Sequence, residues 1–162
     1  MNSFHYGTAA VSAKLAVTGF LLLAVVGLGV AGLQIYARTG LTAQGALLHY
    51  RGDEATLQYP KSFNEMVEIT HAHAFTMPLL ALALSVALAL SDARESVKGA
   101  TIVALFAGVA LELGLPWVVR YGPARSVHLL SVAGVLLGGG LFVSVGLRLY
   151  EMWIRTVGGD TP

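Results

Sequence analysis

Residues 62–90 read SFNEMVEITHAHAFTMPLLALALSVALAL. The second half is an apolar run suited to a bilayer. The first half carries Glu65, Glu68, Thr70, His71, His73 and Thr76 within about four helical turns. A transmembrane helix of about 20 apolar residues needs no such groups, and ionisable side chains at that depth are costly. The stretch therefore reads as a span with a polar site toward one end. Ser62 and Glu65 have the spacing of a capping box, which sets the start of the helix. Pro78 lies inside it and withdraws the helical donor from the carbonyl of Ala74, predicting a kink.

Working outward, three further stretches have the same apolar character. They run over about residues 14–36, 99–119 and 124–150, with the span just described over about 63–90. The chain of 162 residues is 56% hydrophobic and 12% charged, with mean hydropathy +0.71. A soluble domain has about twice that charged fraction. The second and third connections are short: DARESVK over 92–98 and the RYGP turn at 120–123. Short connections make neighbouring helices antiparallel. The expected fold is all-α, a single integral membrane antiparallel four-helix bundle with one long interfacial loop between spans 1 and 2. In that loop Gly40 ends the first helix. Thr42 can cap a short amphipathic segment, TAQGALLHYRG, lying in the interface. The first apolar run is too long for a signal-peptide core and reads as an uncleaved anchor. Gly27 and Ala31 permit close helix approach there. The run Gly138, Gly139, Gly140 suggests close packing in the fourth span.

A net charge of +1 offers no basic stripe for nucleic acid. The absence of cysteine excludes disulfides, thiolate metal sites, c-type haem attachment and cysteine nucleophiles. Lys and Arg are evenly divided between the two ends of the bundle, so the positive-inside rule is tied. The larger loop favours termini on the cytoplasmic side of a bacterial inner membrane. Arg148, Trp153 and Arg155 read as interfacial anchors, His5 and His49 as surface residues.

Depth gives the most informative coincidence. At about 1.5 Å per residue, His71 lies roughly 13 Å in from the long-loop side, Glu112 roughly 12 Å, Glu68 roughly 9 Å and His128 roughly 6 Å. Three spans thus bring ionisable groups to one third of the bundle, and the terminal-side half offers none comparable. At about 100° per residue, Glu68 and His71 lie about 60° apart, while His73 points about 200° from His71. The two histidines are therefore not a chelating pair in a regular helix.

These residues suit two kinds of cofactor. Glu68, His71, Glu112 and His128 form a reasonable set for one transition metal, and Glu68-Ile69-Thr70-His71 has the Glu-x-x-His spacing of dimetal bundles, present once. A haem b would use His71 or His73 with His128. Ala72, Ala74, Gly108 and Gly134 would give it room, and Arg120 and Arg125 would meet its propionates. Either implies a redox role, passing electrons to or from quinone or a respiratory complex. Two alternatives use the same residues. One is an accessory subunit of a larger homo- or hetero-oligomeric membrane complex, with the cluster as structural glue. The other is a small dimeric proton or ion carrier.

The segments GLTAQGALLHYRGDE, FNEMVEITHAHAFTMPLLAL and LPWVVRYG together resemble a family of small four-span bacterial inner-membrane proteins with a YRG…THxHxFxMP…PW pattern. The resemblance covers about Gly40 to Trp153. It implies the topology and directs attention to Tyr50, Arg51, Gly52, Glu68, His71, His73 and Trp117. It implies no reaction.

Overall fold

A computed structural model describes residues 9–55 and 57–155. His5 and the end of the tail lie outside the described residues. The described chain is all-helical: α1 (Val11–Thr39), α2 (Ala43–Arg51), α3 (Phe63–Ala89), α4 (Glu95–Tyr121) and α5 (Leu129–Leu149). A 3₁₀ turn, Ala124–His128, leads into α5, and a π turn, Tyr150–Ile154, leaves it. The four long helices are apolar enough to cross a membrane. They form the expected antiparallel bundle, with α2 as the short amphipathic piece.

The local signals act as read. Thr42 Oγ1 accepts the Gly45 N–H at 2.9 Å and starts α2. Ser62 Oγ accepts the Glu65 N–H at 3.3 Å, and a Glu65 carboxylate oxygen accepts the Ser62 N–H at 2.7 Å. This satisfies donors that the first turn of a helix leaves orphaned. Gly40 closes α1 in the left-handed region at φ 59°. Helix α3 continues through Pro78.

Helices α4 and α5 form the central pair. α3 packs on α4 and also touches α5, while α1 touches α5 and α2. One buried cluster runs through the bundle: Leu21, Ala81, Leu84, Leu105, Val109, Leu137, Leu141, Val145 and Met152. The close approach of α4 and α5 depends on glycine. A Cβ on Gly108 would sit 2.7 Å from the Leu137 backbone nitrogen, and one on Gly140 2.9 Å from Leu105 Cγ. Small residues at such crossings let backbones approach and gain dispersion contacts, which hold helices together where lipid is as apolar as the side chains. Gly108 is therefore filled by α5 and leaves no room for a macrocycle. Gly134 has open space beside it. Gly27 also has nothing within 4 Å, so the small-residue face of α1 is not in contact here. Only Leu21 of α1 is buried.

The terminal side corrects the sequence reading. Arg148 is fully buried and pairs with buried Glu151 at 3.1 Å. It is not an interfacial anchor. Glu151 also accepts the Asp92 N–H at 3.1 Å, so the pair ties the end of α5 to the α3–α4 turn. Buried Lys98 donates to the Ala89 carbonyl at 3.2 Å and pairs with Glu95 at 2.8 Å. The buried charged groups among the described residues, Lys98, Arg148 and Glu151, are thus all on the terminal side, the half expected to offer none comparable. Trp153 and Arg155 do lie at the edge: Trp153 Nε1 donates to Thr18 Oγ1 at 3.0 Å, and Arg155 meets Asp92 at 3.2 Å.

Candidate functional site

The long-loop end is built around α2 and the C-terminal end of α4. Ala46 of α2 is buried with Val119 and Val127, and Tyr50 packs against them. The last turn of α4 has carbonyls with no helical donor. Arg51 supplies donors. Its Nε bonds the Val119 carbonyl at 2.6 Å and its Nη2 bonds the Gly122 carbonyl. Gly52 follows at φ 73°, where a Cβ would overlap the Gln58 carbonyl oxygen. The YRG segment is therefore a device that fastens the loop onto α4. Replacing Arg51 by Ala removes both bonds at once. Charge-assisted bonds of this kind contribute about 1.5 kcal/mol or more each. We expect a lower melting temperature in detergent, and little recovery with Arg51→Lys, whose ammonium cannot span both carbonyls. An unchanged melting temperature would contradict this role.

A second fastening joins α3 to α4. Trp117 Nε1 donates to Thr70 Oγ1 at 2.7 Å, and Thr70 in turn donates to the Met66 carbonyl at 2.8 Å. Phe63 meets the Trp117 ring edge-on at 5.6 Å, and Tyr121 stacks on it at 6.0 Å. Arg120 donates to the Lys61 carbonyl at 2.7 Å and lies over Tyr121. The aromatic and arginine residues of this end are thus used in holding helices in register. Arg125 is exposed on the 3₁₀ turn.

That register decides the histidines. With Thr70 opposite Trp117 in an antiparallel pair, His73 falls within two positions of Glu112. Glu112 belongs to the inward stripe of α4 that includes Leu105, Val109, Leu115, Pro116 and Val119, and it is half-buried there. Tyr50 lies above the same stripe. Burial first, and then the charge on Glu112, push its phenol up from the ordinary value. Beside it, burial and then the charges of Lys61 and Arg38 hold His49 below the ordinary imidazole value. His49 is therefore half-buried rather than a surface residue, edge-on to Tyr50 at 4.9 Å.

His71 is on the other side of α3. The helical geometry that separates it from His73 holds, and His73 takes the side toward α4. His73 remains exposed, and its Nδ1 lies 2.7 Å from the Ile69 carbonyl of its own helix. His71 and Glu68 are both exposed on the outward face. Phe75, 69% exposed, lies between their directions one turn further on, edge-on to His71 at 6.2 Å. His128 ends the 3₁₀ turn and is also exposed. Among the described residues, no group of three or more His, Asp or Glu side chains is close enough to hold a metal ion. One chain therefore does not bring Glu68, His71, Glu112 and His128 together. Glu68 and His71 lie on one exposed face of α3. Sequence spacing has no means of placing Tyr50 at this end of α4, where the docking of α2 packs it against Val119 and Val127.

This architecture has a counterpart among known families. Residues 40–157 match a family described as a transmembrane helical domain, Aq_1264_TM. The chain belongs to the Aq_1264_TM family. The matched region begins directly after α1 and takes in the interfacial helix, the three remaining spans and the whole His/Glu region. In this member of Aq_1264_TM, the segment ahead of the match is the helix with the least buried surface. No curated protein and no solved structure matches the chain.

Proposed function

We propose that this protein is a subunit of an assembly within a bacterial inner membrane, and that the outward face of α3 is covered there by another polypeptide. The observation that supports it is the exposure of Glu68 and His71 on one face of a helix long and apolar enough to cross a membrane. A charged group costs up to about 3 kcal/mol at the bilayer centre, and those that occur face protein or water. Helix α3 is about 40 Å long against a hydrocarbon core of about 30 Å, so Glu68 and His71 fall inside the core near the long-loop face. A protein neighbour with polar groups at that depth would meet both. Cytoplasmic termini accord with the large loop on the outer side.

A second reading is a cofactor role. Haem b or a transition metal would serve electron transfer with quinone or a respiratory complex. It is favoured by the same exposed imidazole and carboxylate. On this geometry the cofactor would lie at the surface of α3, against a second chain, rather than inside one bundle.

The test is native mass spectrometry of the full chain extracted from its own membrane in mild detergent, with a visible spectrum of the same sample. The expected result is a species heavier than the 17.0 kDa chain by at least one further polypeptide. A chain that is monomeric from native membranes at every detergent level would overturn the subunit reading. A Soret band lost in His71→Ala would raise the haem reading above the structural one.

A further inference from the structure

The outward face of α3 carries one copy of a ligand motif that carboxylate bundles use twice. Glu68 and His71 are three residues apart, point within about 60° of one another and are both exposed. A Glu-x-x-His pair on one helix converges on a metal in carboxylate bundles, which use the motif from two helices. This chain has it once, and the chain itself gathers no third ligand around it. A two-fold axis along the membrane normal would supply the missing half. Such an axis pairs α3 with α3 of a second copy, in parallel and at equal depth, so the two motifs face each other at one level.

We propose that two copies of this chain associate along α3 and share one divalent transition-metal ion held by Glu68 and His71 of each. The proposal rests on the subunit reading above and names the partner as a second copy. Charge favours it. Two carboxylates facing each other in hydrocarbon repel strongly, and one divalent cation brings the group to neutrality. Two imidazoles and two carboxylates match the preferences of a four-coordinate zinc-type site. Ala72, beside the pair, is small, and Phe75, exposed one turn further on between the two directions, would pack against its copy across the axis. No electron transfer or bond-making is needed for the site to act as a link between copies.

The chain contains no cysteine, so a single Ala72→Cys reports contact between copies without background. Full-length protein in nanodiscs is stripped with chelator and titrated with Zn2+ alone, then with Co2+ alone. The expected result is one ion per two chains, visible Co2+ bands of a four-coordinate site, and an Ala72→Cys disulfide at twice the chain mass that forms on adding a mild oxidant to the metal-loaded protein and that prior chelation prevents. Glu68→Gln and His71→Asn each weaken metal binding by at least about tenfold, as loss of a ligand must do at least as much as loss of a ligand's supporting contact. Thr76→Ala leaves it unchanged and controls for folding. A dimer indifferent to chelator overturns the metal link while leaving the subunit reading standing. So does a complex with a different polypeptide and no Zn2+ binding at His71. A monomer with no cross-link overturns both. Metal bound equally by His71→Asn is adventitious and overturns the proposal.

Discussion

Replacing Arg148 by Met is expected to destabilise the protein by about 3 kcal/mol, among the largest losses from a single side chain here. Arg148 is fully buried and its partner Glu151 is 6% exposed. Removing the guanidinium leaves a buried carboxylate without its counter-charge, held by the Asp92 N–H. Glu151 belongs to the π turn Tyr150–Ile154, which loss of the pair is expected to loosen. That turn also offers the Met152 carbonyl to Lys14 at 3.2 Å, so α1 loses an attachment with it. The double variant Arg148→Met, Glu151→Leu removes both charges and should recover a large part of the loss, since apolar replacement of a buried pair is often neutral. Denaturation of the four species in detergent closes the cycle. Losses that simply add would contradict the pairing.

The second large effect is expected at Gly108. Gly108→Leu places a side chain where the backbone of Leu137 stands, with the first carbon already 2.7 Å from its nitrogen. Backbone cannot rotate away as a side chain can, so α4 and α5 must separate. Overpacking of this kind costs about 1–3 kcal/mol, and here it strikes the central helix pair. Gly140→Ala should be milder. Its nearest neighbours are side-chain atoms of Leu105, at 2.9 and 3.0 Å, which can change rotamer. Gly134→Ala meets nothing and serves as the control. Thermal melting of the three variants should rank Gly108 well below Gly140, and Gly140 at or below Gly134. An unaffected Gly108→Leu would contradict the packing of the bundle.

Much of this molecule was legible in its sequence because local chemistry fixes it. Thr42, Ser62 and Glu65 act within a few residues of themselves, and the caps they form are those their spacing predicts. Hydropathy alone found the four long helices, since a bilayer demands apolar length more than pattern. What depended on tertiary register was not legible. Arg148 near a helix end ordinarily extends its charge to the interface. Its burial follows from Glu151 one turn on and from the α3–α4 turn folding over it. The separation of His71 from His73 follows from helix geometry, but which of them lies on the α4 side is set by Trp117 and Thr70 on facing helices. Tyr50 packs against Val119 and Val127 through a loop closed by Arg51 and Gly52. Gly108 and Gly134 look alike in sequence, and only the position of Leu137 distinguishes them.

The central claim is that protein, not lipid, covers the outward face of α3. It is tested most directly by a single-cysteine scan of residues 67–76 in native membranes, with short bifunctional thiol and photoreactive cross-linkers. The account predicts protein adducts at Ala72 and Phe75, flanking Glu68 and His71, and none at Leu23 on the exposed face of α1. Lipid-only adducts at Ala72 and Phe75, at the level seen for Leu23, would contradict it.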